Sequence, residues 1–217
     1  MKRLIIFDLD GTVGDTVASL AHTVNLCLRR MGLPEQPEQN FCSFAGDGAR
    51  QMLKRALKAG GAYSEEILDE LMKMYSLEFQ EGCTYGVKSY PGLPGALDSL
   101  KAYGVMLAVC TNKAQPYAES VLNKIYGEGY FDYILGEQPG LPRKPSPEGV
   151  FRILETLGVD ADECVYVGDT NTDMQTGHNA GIFTVGVTWG FRPRKELEEC
   201  EADRIIEHPE ELLKLEL

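Results

Sequence analysis

The sequence predicts an α/β protein, in which a parallel sheet carries helices on both faces and an all-helical segment is inserted after the first strand. Three observations predict it. Short β-rich runs recur at 3–8, 105–110, 131–135, 164–169 and 182–187. Helical patterns at 114–126, 147–157 and 172–180 lie between the later runs, and such alternation belongs to parallel strands joined by crossover helices. Residues 15–81 break the rhythm and hold no convincing strand.

The first strand, Arg3 to Asp8, is an apolar run that ends in Asp8-Leu9-Asp10-Gly11-Thr12. In the segment that follows, Val17, Leu20, Ala21, Val24, Leu28 and Met31 keep helical spacing until Gly32 and Pro34 stop it. Further helical patterns cover 46–59 and 64–80, the second opened by Ser64 with acids in its first turn. Gly14 on one side, and Gly82 to Gly86 on the other, read as hinges. The division expected is therefore a core of 1–14 and 83–217 with a helical insertion of 15–82. Near the end, 204–207 reads as an edge strand followed by a short helix.

Composition bounds the function. A chain of 217 residues, 43% hydrophobic and 25% charged, has the balance of an ordinary soluble globular protein. A net charge of −12 argues against a nucleic-acid surface, though not against a small anion met by a metal and a few placed cations. Only four apolar residues follow the basic start before Asp8, too few for a signal peptide, and no run reaches membrane-spanning length. Six cysteines, at 27, 42, 83, 110, 164 and 200, show no C-x-x-C spacing and read as reduced thiols of a cytoplasmic protein. His22, His178 and His208 read as structural, and no Cys/His spacing suggests zinc.

In open parallel sheets, ligands bind beyond the carboxyl ends of the strands. The first strand delivers Asp8 and Asp10 there; 105–110 leads into Thr111 and Asn112; Lys144 stands on a loop; 164–169 ends in Asp169, with Asp173 one turn on. Singly, each stretch has a plain structural reading as a turn, a helix cap or a stiff loop. Together they place four carboxylates, a hydroxyl, an amide and a lysine on one edge.

These residues resemble the haloacid dehalogenase superfamily of hydrolases. Its four motifs stand in order as Asp8-x-Asp10-Gly11-Thr12, Thr111-Asn112, Lys144-Pro145 and Gly168-Asp169-x-x-x-Asp173. One departure is Val13-Gly14-Asp15, where relatives carry a bulkier residue before the acid. The resemblance implies a Rossmann-like core with the insertion as a mobile cap. It implies Asp8 as nucleophile, forming an aspartyl-phosphate, and Asp10 as general acid and then base. It further implies Mg²⁺ on Asp8, the backbone carbonyl of Asp10 and Asp169, with Asp173 behind them orienting a water or Lys144. Lys144 would neutralise charge on Asp8 and the phosphoryl group, while Thr111 and the Asn112 amide would bind phosphate oxygens.

A departing halide needs no proton, so Asp10 favours phosphoryl chemistry over dehalogenation. The stretches 45–57 and 188–193 resemble phosphoglycolate phosphatases, which makes 2-phosphoglycolate the expected substrate. Arg50, behind Gly46 and Gly48, is then the candidate for the substrate carboxylate. Trp189 and Phe191 read as packing and loop anchors. The alternatives are a phosphatase of sugar phosphates or pyrophosphate, a sugar phosphomutase, and a receiver-type signalling module. The expected partner is a small phosphorylated metabolite, with no nucleic acid or membrane, and the chain is a monomer or homodimer.

Overall fold

The computed structural model describes residues 2–215. Six strands form one sheet: β1 (Leu4–Phe7), β2 (Met106–Ala114), β3 (Tyr133–Glu137), β4 (Cys164–Gly168), β5 (Phe183–Val187) and β6 (Arg204–Ile206). All pairs are parallel and the order is β3-β2-β1-β4-β5-β6. The chain winds outward from β1 through β2 to β3, then returns to β4 on the other side. The direction of winding therefore reverses between β1 and β4, and a crevice opens at their carboxyl ends.

Both faces of the sheet are covered, and β1 shows why its four residues are all apolar. Ile5 and Phe7 enter one core with the helical insertion, while Leu4 and Ile6 enter a second core. That second core includes Val150, Ile153 and Leu154 of α7 (Glu148–Leu157). A strand buried on both sides cannot alternate with polar residues.

The insertion consists of α1 (Val17–Arg30), α2 (Phe41–Phe44), α3 (Ala49–Ala59) and α4 (Glu65–Gly82). α1 and α4 pack along their apolar stripes, burying Leu20, Val24 and Leu28 with Leu68, Leu71 and Phe79. Ser64 caps α4 by accepting a hydrogen bond from Ile67 N at 3.2 Å. Gly82 is the last residue of α4, and a Cβ there would collide with the Thr23 hydroxyl of α1. Close helix packing, rather than hinge freedom, accounts for that glycine. The two connections to the sheet are tied together, because Asp15 N donates to Lys88 O at 2.8 Å and Lys88 N returns a bond at 3.3 Å.

Several boundaries differ from the sequence reading. β2 runs on from the expected 105–110 to Ala114, because its last residues pair with Glu137 after an irregularity following Cys110. α3 begins at Ala49, since Gly46 and Gly48 hold positive φ that no helix can use. α5 (Leu93–Ala102), which the sequence reading did not include, follows a left-handed Gly92 and carries Pro94 in its first turn. The remaining helices are α6 (Gln115–Tyr126), α8 (Asn171–Asn179) and the brief α9 (Arg194–Glu199). All six cysteines are free. Among the described residues, no helix is long and apolar enough to cross a membrane.

Candidate active site

Asp8 continues β1 by one residue, its N–H donating to Val167 O of β4 at 2.9 Å. The chain then folds into a tight turn in which the amides of Thr12, Val13 and Gly14 all donate to Leu9 O. Gly11 stands there at φ +90°, and a Cβ on it would strike the Asp169 carboxylate. Gly190 approaches from the opposite loop, where a Cβ would overlap both Asp169 and the Gly11 carbonyl. Two glycines thus let two loops close on one carboxylate. Asp169 accepts from Thr12 Oγ1 at 2.9 Å and from Phe191 N at 2.7 Å, while Trp189 Nε1 donates to Thr12 O at 3.1 Å. Trp189 and Phe191 anchor the loop, as the sequence suggested.

Lys144 Nζ lies 2.6 Å from Asp173 Oδ1 and 2.8 Å from Asp8 Oδ1. Only the first contact has hydrogen-bond geometry, so Asp8 Oδ1 is buried without a hydrogen-bond partner. The other oxygen of Asp173 accepts from Thr170 N at 3.0 Å and Thr170 Oγ1 at 2.7 Å, in the box that opens α8. Asp173 is therefore fully engaged in holding Lys144 and a helix start, which suits the position behind the metal expected for it. Asn112 braces the same loop: its Oδ1 accepts from Lys144 N at 2.9 Å, and its Nδ2 donates to the carbonyls of Lys144 and Gly46 at 3.2 Å each. With both donors spent on the protein, the Asn112 side chain holds structure, and the phosphate contact expected of its amide does not come from that side chain. Thr111 Oγ1 accepts from Lys113 N at 3.3 Å and lines the cavity.

The electrostatics require another cation. Asp8, Asp169 and Asp173 offer oxygens that lie within 4.8 Å of one another. Burial, then the Asp173 charge, push the Asp8 carboxyl up to about 7, with Lys144 pulling the other way. Asp169 is driven well above the usual carboxylate range by burial and by Asp173 and Asp8. Burial would lower Lys144, but Asp173 and Asp8 outweigh it and hold its ammonium charged. Three acidic side chains face one ammonium, and the raised carboxyls of Asp8 and Asp169 are the consequence of that imbalance. Three clustered acids with a single ammonium among them fit a hard divalent cation bound by oxygens.

Asp10 is kept apart from that cluster. Lys113 Nζ holds both of its oxygens, at 2.7 and 2.9 Å, and Thr16 Oγ1 donates to Oδ1 at 2.5 Å. The two neighbouring acids of the first strand thus each have their own lysine. Lys113 was not read from the sequence as a site residue, although a lysine closing an apolar strand-like run is a buried charge in need of a partner. Arg192 was missed too; it donates to the Cys42 and Ala45 carbonyls of the insertion and pairs with Glu196 at 3.3 Å. Thr172 to Asp47 at 3.1 Å and Tyr117 to Ser76 O at 3.1 Å add to this docking.

Between the insertion and the sheet edge lies a cavity of about 220 Å³, bordered by Asp8, Asp10, Thr111 and Lys113 below and by Met72 and Phe79 above. Arg50 is not brought to it. Its guanidinium pairs with Asp69 at 2.7 Å and Glu65 at 2.9 Å on the exposed side of the insertion, because α3 turns that face outward beside α4.

A buried carboxylate at a strand end, a lysine against it and an acidic pocket beside it are the parts of a hydrolytic α/β enzyme. The chain belongs to the haloacid dehalogenase-like hydrolases, whose family profile matches residues 5–187. It is 32% identical over 213 residues to a phosphoglycolate phosphatase of Aquifex aeolicus, covering 98% of this chain and 96% of that one. Over 218 residues it is 31% identical to a phosphoglycolate phosphatase of Mannheimia succiniciproducens, covering 98% and 97%. Its structure superposes, with a TM-score of 0.91 and 29% identity, on a Lactobacillus delbrueckii subsp. bulgaricus protein provisionally described as a phosphoglycolate phosphatase, covering 98% and 97% of the two chains.

Proposed function

We propose that the protein is a Mg²⁺-dependent phosphatase that hydrolyses a small phosphate monoester through an aspartyl-phosphate on Asp8. The observation that carries this reading is the state of Asp8: buried, one oxygen without a hydrogen-bond partner, Lys144 at 2.8 Å, and Asp169 beside it. With Oδ1 in the Lys144 ion pair, the other oxygen would be the one to attack, and the ammonium would draw in a phosphate dianion.

In the first step an Asp8 oxygen bonds to phosphorus as the ester P–O bond breaks, and Asp10 gives the departing alkoxide the proton it took from water in the second step of the preceding turnover. In the second, Asp10 takes a proton from water, the resulting hydroxide attacks phosphorus, and the Asp8 carboxylate leaves, giving alcohol and inorganic phosphate. Asp10 is suited to this by its place on the cavity wall and by Lys113 and Thr16, which fix its carboxylate. Lys144 holds its charge throughout, and Thr111 borders the space for the phosphate oxygens. Asp8 and Asp169 would hold Mg²⁺, with the Asp10 carbonyl; bound there, the ion offsets the repulsion between carboxylate and phosphate. The helical insertion, residues 15–82, serves as a cap that excludes water over the site.

The names of the curated relatives, and the two stretches that resemble them, support 2-phosphoglycolate as the first ester to test. The test is release of inorganic phosphate from a panel of small phosphate esters with Mg²⁺, with Asp8→Asn as control. Turnover by the wild type alone is expected. Equal turnover by both proteins would remove Asp8 from its role.

A further inference from the structure

The chamber over Asp8 has two walls of opposite chemistry. The sheet side carries Asp8, Asp10, Thr111 and Lys113, whereas the cap side carries Leu20, Met52, Met72, Tyr75 and Phe79. Of the described residues that α1, α3 and α4 contribute to this lining, none is charged. Ser76 lies among them, but its hydroxyl turns back to donate to Met72 O at 2.8 Å.

The cations nearby are committed elsewhere. Lys144 sits between Asp8 and Asp173, Lys113 holds both oxygens of Asp10, and Arg143, exposed at the mouth, pairs with Glu137. Arg50 faces outward in its own ion pairs. A leaving-group carboxylate seated against the cap wall would set that charge against thioether and aromatic carbon, an unfavourable exchange for water; the guanidinium nearest to it is Arg143, at the mouth and paired with Glu137. The chamber is also roomy. Its volume of about 220 Å³ is shared by the phosphoryl group over Asp8 and the alcohol beside the cap wall.

We infer that the ester this site prefers carries an uncharged, largely apolar alcohol the size of a short alkyl chain or a single ring, seated against Met52, Met72 and Phe79. The inference rests on the phosphatase reading and narrows its substrate class. The phosphoryl group meets Asp8, and the alcohol released on hydrolysis is the group that the cap wall shelters. Each buried methylene then contributes transition-state binding, and kcat/KM rises about fourfold for each one added until the chamber is full.

The experiment measures kcat/KM for phosphate release, with Mg²⁺, from ethyl, butyl and benzyl phosphates and from 2-phosphoglycolate. All are esters of primary alcohols, so leaving-group chemistry varies little. We expect butyl and benzyl phosphates to exceed ethyl phosphate by about tenfold or more, and 2-phosphoglycolate to fall below both. Met72→Lys, at a half-buried position where a lysine stem can follow the thioether path, is expected to reverse that order. A flat alkyl series, or a wild type that favours 2-phosphoglycolate, would overturn the inference and leave the phosphatase reading intact. The amino end of α3, rather than the apolar wall, would then select the ester. Release from none of the four while another ester of the wider panel is hydrolysed would overturn the inference alone, and release from no ester of that panel would defeat the phosphatase reading with it.

Discussion

The sheet edge and the helical wall that face each other across the chamber solve opposite problems. At the sheet edge, three carboxylates are held within 4.8 Å of each other and Lys144 alone lies among them. There the fold holds charge where solvent would disperse it, and the strain appears as the raised Asp8 and Asp169 carboxyls. The helical wall holds no charge against the chamber, and its Met52 and Phe79 are the same kind of side chain that fills the core. The difference shows a division of labour. Short polar contacts order the sheet edge, where the proposed function puts the chemistry, whereas the helical wall offers shape with few directional bonds.

Substitutions that strike only one side test this division. The largest effect is expected from Asp8→Asn, with turnover falling about a thousandfold or more while the metal-free chain melts no earlier than wild type, because a burial-penalised charge has been removed. A variant that lost its fold along with its activity would contradict that account. Lys144→Met comes next. It strands Asp8 and Asp173 without their ammonium, and a destabilisation of about 3–5 kcal/mol is expected from denaturant unfolding, as when a buried pair loses one partner. Unchanged stability would mean that Lys144 does not balance this cluster.

The third effect is linked to pH. Asp8 titrates at about 7 in the folded, metal-free chain against an ordinary 3.8, so between those values the folded state holds a proton that the unfolded chain releases. Stability from this group is therefore lost as pH rises toward 7, and the full penalty remains above it. The difference in unfolding free energy between wild type and Asp8→Asn isolates the term. It should widen from about pH 5 to about pH 8, and added Mg²⁺ should narrow it at the higher pH. A difference independent of pH would rule out the raised carboxyl.

Smaller effects sharpen the boundary between the walls. Lys113→Met frees Asp10 from its bidentate hold, and kcat is expected to fall roughly tenfold to a hundredfold with substrate affinity little changed; a pure KM effect would assign Lys113 to binding. Arg50→Ala, on the outer face of the cap, is expected to leave kcat/KM within about twofold. A large loss there would return Arg50 to the substrate and place the carboxylate site at the cap mouth.

Much of the sheet side was legible from the chain alone. Asp8, Asp169 and the helix-opening Asp173 stand at the ends of apolar runs, and strand ends in a parallel sheet share one edge whatever the loops do. Lys144 was legible for the same reason, as a cation on a loop at that edge. Lys113 was not, because β2 was expected to stop at 110, and only its pairing with β3 carries the strand through to Ala114. Arg50 was read from its place behind Gly46 and Gly48, which sets it at the start of α3 but does not fix which way its side chain turns. α5 was not among the helices read from the chain, and Pro94 stands in its first turn, where proline is tolerated.

By itself the sequence determined the alternation of strand and helix, the interrupting helical segment and the residues delivered to the carboxyl edge of the sheet, because these follow from local periodicity and from the geometry of parallel strands. Tertiary structure decided which lysine answers which carboxylate, which glycines let two loops close on Asp169, and that the cap meets the chamber with methionine and phenylalanine while Arg50 faces outward. Those outcomes depend on distances between residues far apart in the chain. Such distances arise only when burial forces each charge to find a partner and each apolar stripe to find a surface.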